Sequence, residues 1–202
     1  MPNRLLALLG LLLLAGCAVP PERPALDAAA EAQAWEQHRA RLSALQHWTL
    51  SARIVVSNAD DAWSGRLRWR QDGTHFLIDF EAPFGQGALR LQSVLEGVEL
   101  QLADGERRVA ADAGSLLQET LGARLPVDGL RYWVRGLPEP GLEPTQRELD
   151  GRGRLSRLRQ NGWDIRYSGY RRYGTLDLPR KVRIEGEGFG LRLVIDRWQM
   201  ET

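Results

Sequence analysis

Two hydrophobic periods divide the chain. Between Asp27 and His47, Trp35, Leu42 and Leu45 recur at helical spacing with His38 between them. Ala, Glu, Gln and Arg fill the rest of the segment, and all are good helix formers, so a helix with one apolar stripe is predicted. From Trp48 onward the period becomes 2. Trp48, Leu50, Ala52, Ile54 and Val56 alternate with polar positions, as do Trp63, Gly65, Leu67 and Trp69, then Phe76, Ile78 and Phe80. Further strands are predicted at Ala88 to Gln92, Val98 to Leu102 and Arg107 to Ala111, with turns at Glu96-Gly97 and Asp104-Gly105. A helical pair interrupts them. Asp112 is placed as an N-cap before Leu116, Leu117 and Leu121, with Gly122 at the end, and a second short helix spans Pro126 to Gly136. The strands then resume as a hairpin about Asn161-Gly162 and a pair turning through Gly186-Glu187-Gly188.

This order defines a mainly β chain with some α, an α+β arrangement. About ten or eleven short antiparallel strands form one sheet with an apolar and a wet face. Consecutive short strands with turn signals predict a barrel or a strongly curved sheet, closed by short helices. No internal repeat or second domain is visible, so residues 25–202 are read as a single domain.

Seven tryptophans are many for 202 residues and need a large core or a ligand. Trp63, Trp69, Phe76, Ile78, Phe80, Leu89 and Leu91 fall on one side of neighbouring strands. Trp133 and Val134 join them from the helical pair, and Trp163, Ile165 and Tyr167 from the late hairpin. Any one of them fits an ordinary core. As a set, on a curved sheet closed only by short helices, they fit the wall of a cavity for apolar ligands. The connection Glu81 to Gly87 carries Phe84 between Pro83 and Gly85. Phe84 either folds back under its own loop or projects as an apolar probe of a membrane or acyl chain.

The N-terminus changes the picture. Arg4 followed by apolar Leu5 to Leu14 has the form of a secretory signal, too short to span a bilayer. Leu14-Ala15-Gly16-Cys17 resembles the lipobox of bacterial lipoproteins, and Cys17 is the only cysteine. The resemblance implies removal of residues 1–16 and acylation of Cys17. Residues 17–24 then form an acylated cysteine with a proline-rich tether, able to lift the domain roughly 20 Å from the membrane. Ala18 in the second mature position resembles an outer-membrane address. A lone cysteine forms no intrachain disulfide.

Charge and motifs exclude much. Removing Arg4 leaves 26 basic and 26 acidic side chains, which is not the basic balance of a nucleic-acid binder. His38, His47 and His75 lack metal-ligand spacing. No nucleophile elbow or phosphate loop is present, and Gly186 to Gly190 reads as a turn. No metal, cofactor or catalytic residue is expected. Arg152, Arg154, Arg157 and Arg159 are read as a solvated strand face, with contact to an acidic lipid or partner as the sharper alternative.

Along its whole length the chain resembles the family of the outer-membrane lipoprotein receptor LolB. The resemblance rests on the lipobox, Trp35 to His38, Trp69-Arg70-Gln71, Pro83-Phe84-Gly85 and Leu130 to Pro138 with Trp133. Asn161-Gly162-Trp163 and Asp196-Arg197-Trp198 complete it. It implies an incomplete antiparallel β-barrel with a helical lid over a hydrophobic cavity. It also implies a monomer anchored to the outer membrane and facing the periplasm. Such a protein accepts lipoproteins from a soluble periplasmic carrier by their acyl chains and inserts them into the inner leaflet. Pro83, Phe84 and Gly85 would be the membrane-insertion loop, where the family commonly has leucine at the tip. Two other classes stay open: the soluble carrier itself, which the lipobox opposes, and a lipoprotein hydrolase with an unrecognised site. The lipobox reading predicts that Cys17→Ala abolishes incorporation of labelled palmitate and releases the domain into the periplasm. Label persisting on the variant would defeat it.

Overall fold

A computed structural model of the protein describes residues 26–200 except Gln86 and Ala123. The signal, Cys17 and the tether therefore lie outside the described residues. Asp27 caps the first helix, α1 (Ala28–Ser43), accepting from the Ala30 amide at 2.8 Å. The helix ends four residues before His47, which already belongs to β1 (His47–Ser57). Strands β2 (Ala62–Asp72), β3 (His75–Glu81), β4 (Ala88–Val94), β5 (Gly97–Leu102) and β6 (Arg107–Ala110) follow as a meander. Helices α2 (Ala113–Leu121) and α3 (Val127–Trp133) interrupt it where expected. Asp112 caps α2 through the Ser115 amide, and Gly122 ends it with a left-handed φ of 69°.

The chain returns through β7 (Gln146–Leu149), β8 (Leu155–Gln160), β9 (Trp163–Ser168), β10 (Arg171–Tyr173), β11 (Leu176–Leu178), β12 (Lys181–Gly186) and β13 (Phe189–Met200). Eleven of these strands form one open antiparallel sheet in the order β6-β5-β4-β3-β2-β1-β13-β12-β9-β8-β7. First and last halves meet where β1 pairs with β13, with a bulge between Ser51 and Ala52. Strands β10 and β11 make a separate two-stranded hairpin. The expectation of ten or eleven strands in one incomplete barrel therefore holds for the main sheet. Strands β7, β10 and β11 have no counterpart in the hydrophobic pattern, because segments such as Gln-Arg-Glu-Leu and Arg-Arg-Tyr carry too few apolar residues to show a period.

Register carries the inward residues into continuous rows. One runs Trp198, Leu50, Trp69, Ile78, Leu91, Leu100. Another runs Trp63, Val56, Leu191, Ile184, Ile165, Leu158. Most of these side chains are fully buried and form one core with the helices.

Helix α1 lies against the β7–β8 connection. The Leu26 amide donates to the Gly151 carbonyl at 2.9 Å, and the Gly151 amide donates to Glu31. Gly153 has φ of +69°, and a Cβ there would meet the Trp35 backbone nitrogen at 2.5 Å. The helix can seat only because that position has no side chain. Arg152 and Arg154 are in this loop rather than on a strand face, which corrects part of the arginine expectation. Arg154 pairs with Asp150 at 2.5 Å and lies over the Tyr170 ring at 4.5 Å.

His38 is carried by α1 into the same region, 3 % exposed, with its ring 6.5 Å from that of Tyr170. Burial lowers its pKa from 6.5 to about 4, with Asp177 and Asp150 opposing and Arg41 and Arg154 assisting. The unfolded chain therefore takes up a proton below pH 6.5 while the folded one resists until about 4. Stability is greatest above pH 6.5 and falls across that window, by about 1–3 kcal/mol. Urea midpoints measured from pH 7 to 4 should show this decline, and His38→Phe should flatten it.

Candidate functional site

The concave face of the sheet is the candidate site. Trp69, Ile78, Leu91, Trp133, Val134, Trp163, Ile165 and Tyr167 are all buried there. Phe76, Phe80 and Leu89 are half-buried and packed against them. Trp63 occupies an inward position in the register but is 45 % exposed, because it lies beyond the last residues of β2 that pair with β3. The ten predicted strand residues thus share one face of the sheet, with Trp63 at one end, and Trp133 and Val134 at the end of α3 belong to the same buried core. The Phe80 ring covers Gly65, where a Cβ would meet it at 2.5 Å.

The face is filled rather than hollow in this conformation. Trp48 packs on Trp69 with ring centroids 5.3 Å apart and on Trp198 at 5.4 Å, while Trp133 meets Trp163 at 6.3 Å. Trp48 and Trp198 join by position on β1 and β13, and sequence reasoning left them out of the site although their alternation was plain. The indole nitrogens of Trp35, Trp48 and Trp198 and the hydroxyl of Tyr167 are buried without a hydrogen-bond partner.

Two clefts stand out, and neither matches the predicted wall. One of about 670 Å³ lies mainly on the outer face, among Arg53, Arg66, Arg68, Asp79, Glu81 and Arg90, and touches only Phe80 and Leu89 of the predicted set. The other, about 560 Å³, lies between α1, the β2–β3 turn and the segment 137–144 that follows α3.

Two polar side chains hold the cover in place. Gln160, 1 % exposed at the end of β8, makes four hydrogen bonds. Its carbonyl accepts from Trp133 Nε1 at 2.9 Å and from the Glu139 amide at 2.8 Å. Its amide donates to the carbonyls of Glu139 at 2.9 Å and Leu142 at 2.6 Å. Arg135, 5 % exposed, has no carboxylate partner among the described residues. It donates to the carbonyls of Leu45 at 2.6 Å, Leu42 at 3.2 Å and Arg131 at 2.9 Å. Leu42 and Leu45 are at the C-terminal end of α1, where a cation is favoured. Burial lowers the Arg135 pKa to about 10, which keeps it charged at neutral pH. Neither residue stands out in a single sequence, since a lone Gln in a strand and a lone Arg after a helix carry no motif.

Phe84 projects. It is 98 % exposed in a single 3-10 turn, Pro83–Gly85, with φ of 57°. A non-glycine residue in the left-handed region is uncommon and strained. Ala82 and Gly87 close the loop beneath it through an amide-to-carbonyl bond of 2.8 Å.

A curled, open antiparallel sheet with short helices over its apolar face places the protein in a known fold class. It is similar to a LolA superfamily protein from Nitrosomonas europaea, with TM-score 0.50 and 9 % identity over 87 % of this chain and 94 % of that one. A DUF1329 family protein from Desulfovibrio piger has TM-score 0.55 at 10 % identity, over 86 % and 93 % of the two chains. In sequence, the family model described as outer membrane lipoprotein LolB matches residues 46–198. The outer-membrane lipoprotein LolB of Nitrosococcus oceani is 42 % identical over 96 % of this chain and 95 % of its own. That of Pseudomonas aeruginosa is 38 % identical over 96 % and 94 %. The chain belongs to the LolB family.

The Gln160 network makes a test of the cover. Gln160→Leu keeps the volume and orphans Trp133 Nε1 and three backbone groups, each worth about 1–3 kcal/mol when left buried. The urea midpoint should fall, and an apolar dye should bind more as the segment 139–142 detaches from Trp133. Unchanged dye binding would show that this segment does not cover the apolar face.

Proposed function

We propose that the protein is an acyl-chain receptor, anchored to the outer membrane through Cys17, that takes lipoproteins from a soluble periplasmic carrier and places them in the inner leaflet. The carrying observation is the largely apolar concave face, covered by α3 and the segment after it, which Gln160 fastens to β8 while Arg135 fastens the end of α3 to that of α1. Among the described residues no helix is long and apolar enough to cross a membrane, in keeping with a lipid anchor. The names of the N. oceani and P. aeruginosa relatives support the same location.

The mechanism follows from apolar burial. Each methylene kept from water is worth about 0.8 kcal/mol, so long acyl chains must pass between apolar sites without a free state. On approach of the loaded carrier, the cover that Gln160 fastens to β8, and Arg135 to the end of α1, swings away. The chains then replace one another's neighbours along the rows of Trp69, Ile78, Leu91, Trp163, Ile165 and Tyr167. Trp63 stands at the open end of this face, where chains enter and leave. The unpartnered indole N–H groups of Trp48 and Trp198 are available to the ester and amide carbonyls of the acylated cysteine. Transfer runs downhill in affinity, from carrier to receptor to bilayer. Phe84 enters the bilayer, or meets the departing chains, at the delivery step.

The reading is tested with purified acylated protein, a labelled lipoprotein on its carrier, and liposomes. Label should move to the receptor and then to the liposomes. A bound fatty-acid probe should shift emission in variants that keep only Trp69, Trp133 or Trp163. Phe84→Glu should change stability by no more than about 0.5 kcal/mol, as an exposed substitution does. It should leave acceptance intact and slow delivery, because a carboxylate is costly in lipid. Phe84→Leu should be near neutral. A receptor that takes no label from the carrier would overturn the proposal, and normal delivery by Phe84→Glu would overturn the role of the loop.

A further inference from the structure

The outer face carries an alignment that the acyl-chain site does not use. Register places Arg192 opposite Arg183, Arg183 opposite Arg166, and Arg166 opposite Arg157. Four arginines therefore stand side by side across β13, β12, β9 and β8, spanning about 14 Å at the usual strand spacing. Like charges directly opposite on neighbouring strands are destabilising. The structure offsets this only in part. Asp164 serves Arg157, Arg159 at 2.8 Å and Arg166 at 3.3 Å, and these arginines, Arg157 first, hold its carboxyl far below the usual range. Glu185 pairs with Arg183, and Glu148 approaches Arg157 to 3.8 Å. Among the described residues, Arg192 forms no ion pair. With Arg159 and Lys181 beside the row, these six cations have three carboxylates among them, Asp164, Glu185 and Glu148, while Asp196 further along β13 pairs with Arg53.

The row is also placed with respect to the ends of the sheet. Ser57 pairs with Gly190 and Ser57 with Ala62, Arg66 pairs with Glu81, and Glu185 with Asp164. The turns 58–61, 161–162 and 187–188 and the Phe84 loop therefore share one rim. Three residue pairs separate the arginine row from the 161–162 and 187–188 turns, about 10 Å. That rim carries Phe84 and Trp63, the two aromatics among the exposed large hydrophobic side chains.

We propose that this arginine row is a docking face for the anionic headgroups of a lipid bilayer, orienting the domain so that the Phe84 and Trp63 rim meets the membrane. The proposal rests on the reading that the domain works at a membrane surface. A bilayer is the one partner that offers both parts: a plane of negative charge wide enough for four side chains, and an apolar interior beneath it for a single projecting ring. Two isolated aromatics are too little for the packed core of a protein interface, which needs about 800 Å² per partner. Indole and phenyl rings at the rim suit the headgroup level. The anionic potential acts within about a Debye length of the surface, the distance at which the row stands from the rim.

The test uses the unacylated chain from Ala18 to Thr202, which retains every described element, with vesicles of phosphatidylcholine alone or mixed with phosphatidylglycerol. Sedimentation should show binding to the mixed vesicles that weakens as salt is raised. Arg183→Gln with Arg192→Gln should weaken it about fivefold for each charge removed. Thermal stability should stay level, because the repulsion between the two arginines and the exposed Arg183–Glu185 pair are lost together. Acceptance of a labelled lipoprotein from its carrier by the same preparations reports on the receptor reading separately, and should not change. Equal binding to both vesicle types, or wild-type binding by the double variant, would overturn the proposal. Loss of acceptance with vesicle binding intact would overturn it too, and would assign the face to an acidic surface on the carrier.

Discussion

An eleven-stranded sheet with one largely apolar face, interrupted only locally by side chains such as Gln71 and Gln160, cannot leave that face in water, and much of the structure answers this constraint. The sheet does not close on itself, because β6 and β7 are its two edges. Cover must come from elsewhere, and α1, α2, α3 and the segment after α3 provide it. None is long enough to complete a helical layer, so the cover is made of short pieces attached at a few polar points. Gln160 and Arg135 are those points. Hydrogen bonds have direction and apolar packing does not, so a cover fastened by such bonds over a greasy face has a defined closed position and can leave it. A lid built only of interdigitated leucines would be harder to release.

The sheet was largely legible in the sequence because an antiparallel strand with one wet face writes its geometry as a period of two. β1, β2 and β3 alternate for seven residues or more, and turns such as Asn161-Gly162 take the positive φ values their residues favour, 50° and 79°. The end of α1 was misplaced because Leu45 and His47 continue its composition, while the true stop depends on Arg135 reaching the Leu42 and Leu45 carbonyls from 90 residues away. β7 was missed because its pairing with β8, not its own pattern, makes it a strand. The wall of the candidate site was legible as a set of residues but not as a shape. Alternation fixes which way Trp69 or Ile165 points, whereas whether the space between them is open depends on the position of a cover whose fastenings carry no motif.

Phe84 shows the opposite case, where a local rule is broken and the break is informative. A phenylalanine with φ of 57° and almost complete exposure is poor for stability on two counts. Pro83 restricts the turn, and the Ala82–Gly87 bond closes the loop below it, so the ring is presented rather than merely unburied. Stored strain and exposed apolar surface meet at this one residue, and that conjunction is what motivates the contact role proposed for it.

The two faces of the sheet offer different forces to a lipid and to a membrane. The concave face sets affinity through apolar area, which is blind to the identity of the cargo protein and roughly proportional to chain length. Such a face alone would hold its ligand in any orientation and at any distance from a bilayer. Orientation needs long-range forces, and apolar contact has none beyond a few ångströms. The outer face, with its row of like charges only partly neutralised by Asp164 and Glu185, can act over that distance. Charge on the outside and grease on the inside meet at the rim that carries Trp63 and Phe84. On the proposed reading, an acyl chain leaving the concave face at that rim would pass from one apolar medium to another, and the order of affinities from sheet to bilayer would set the direction of the step.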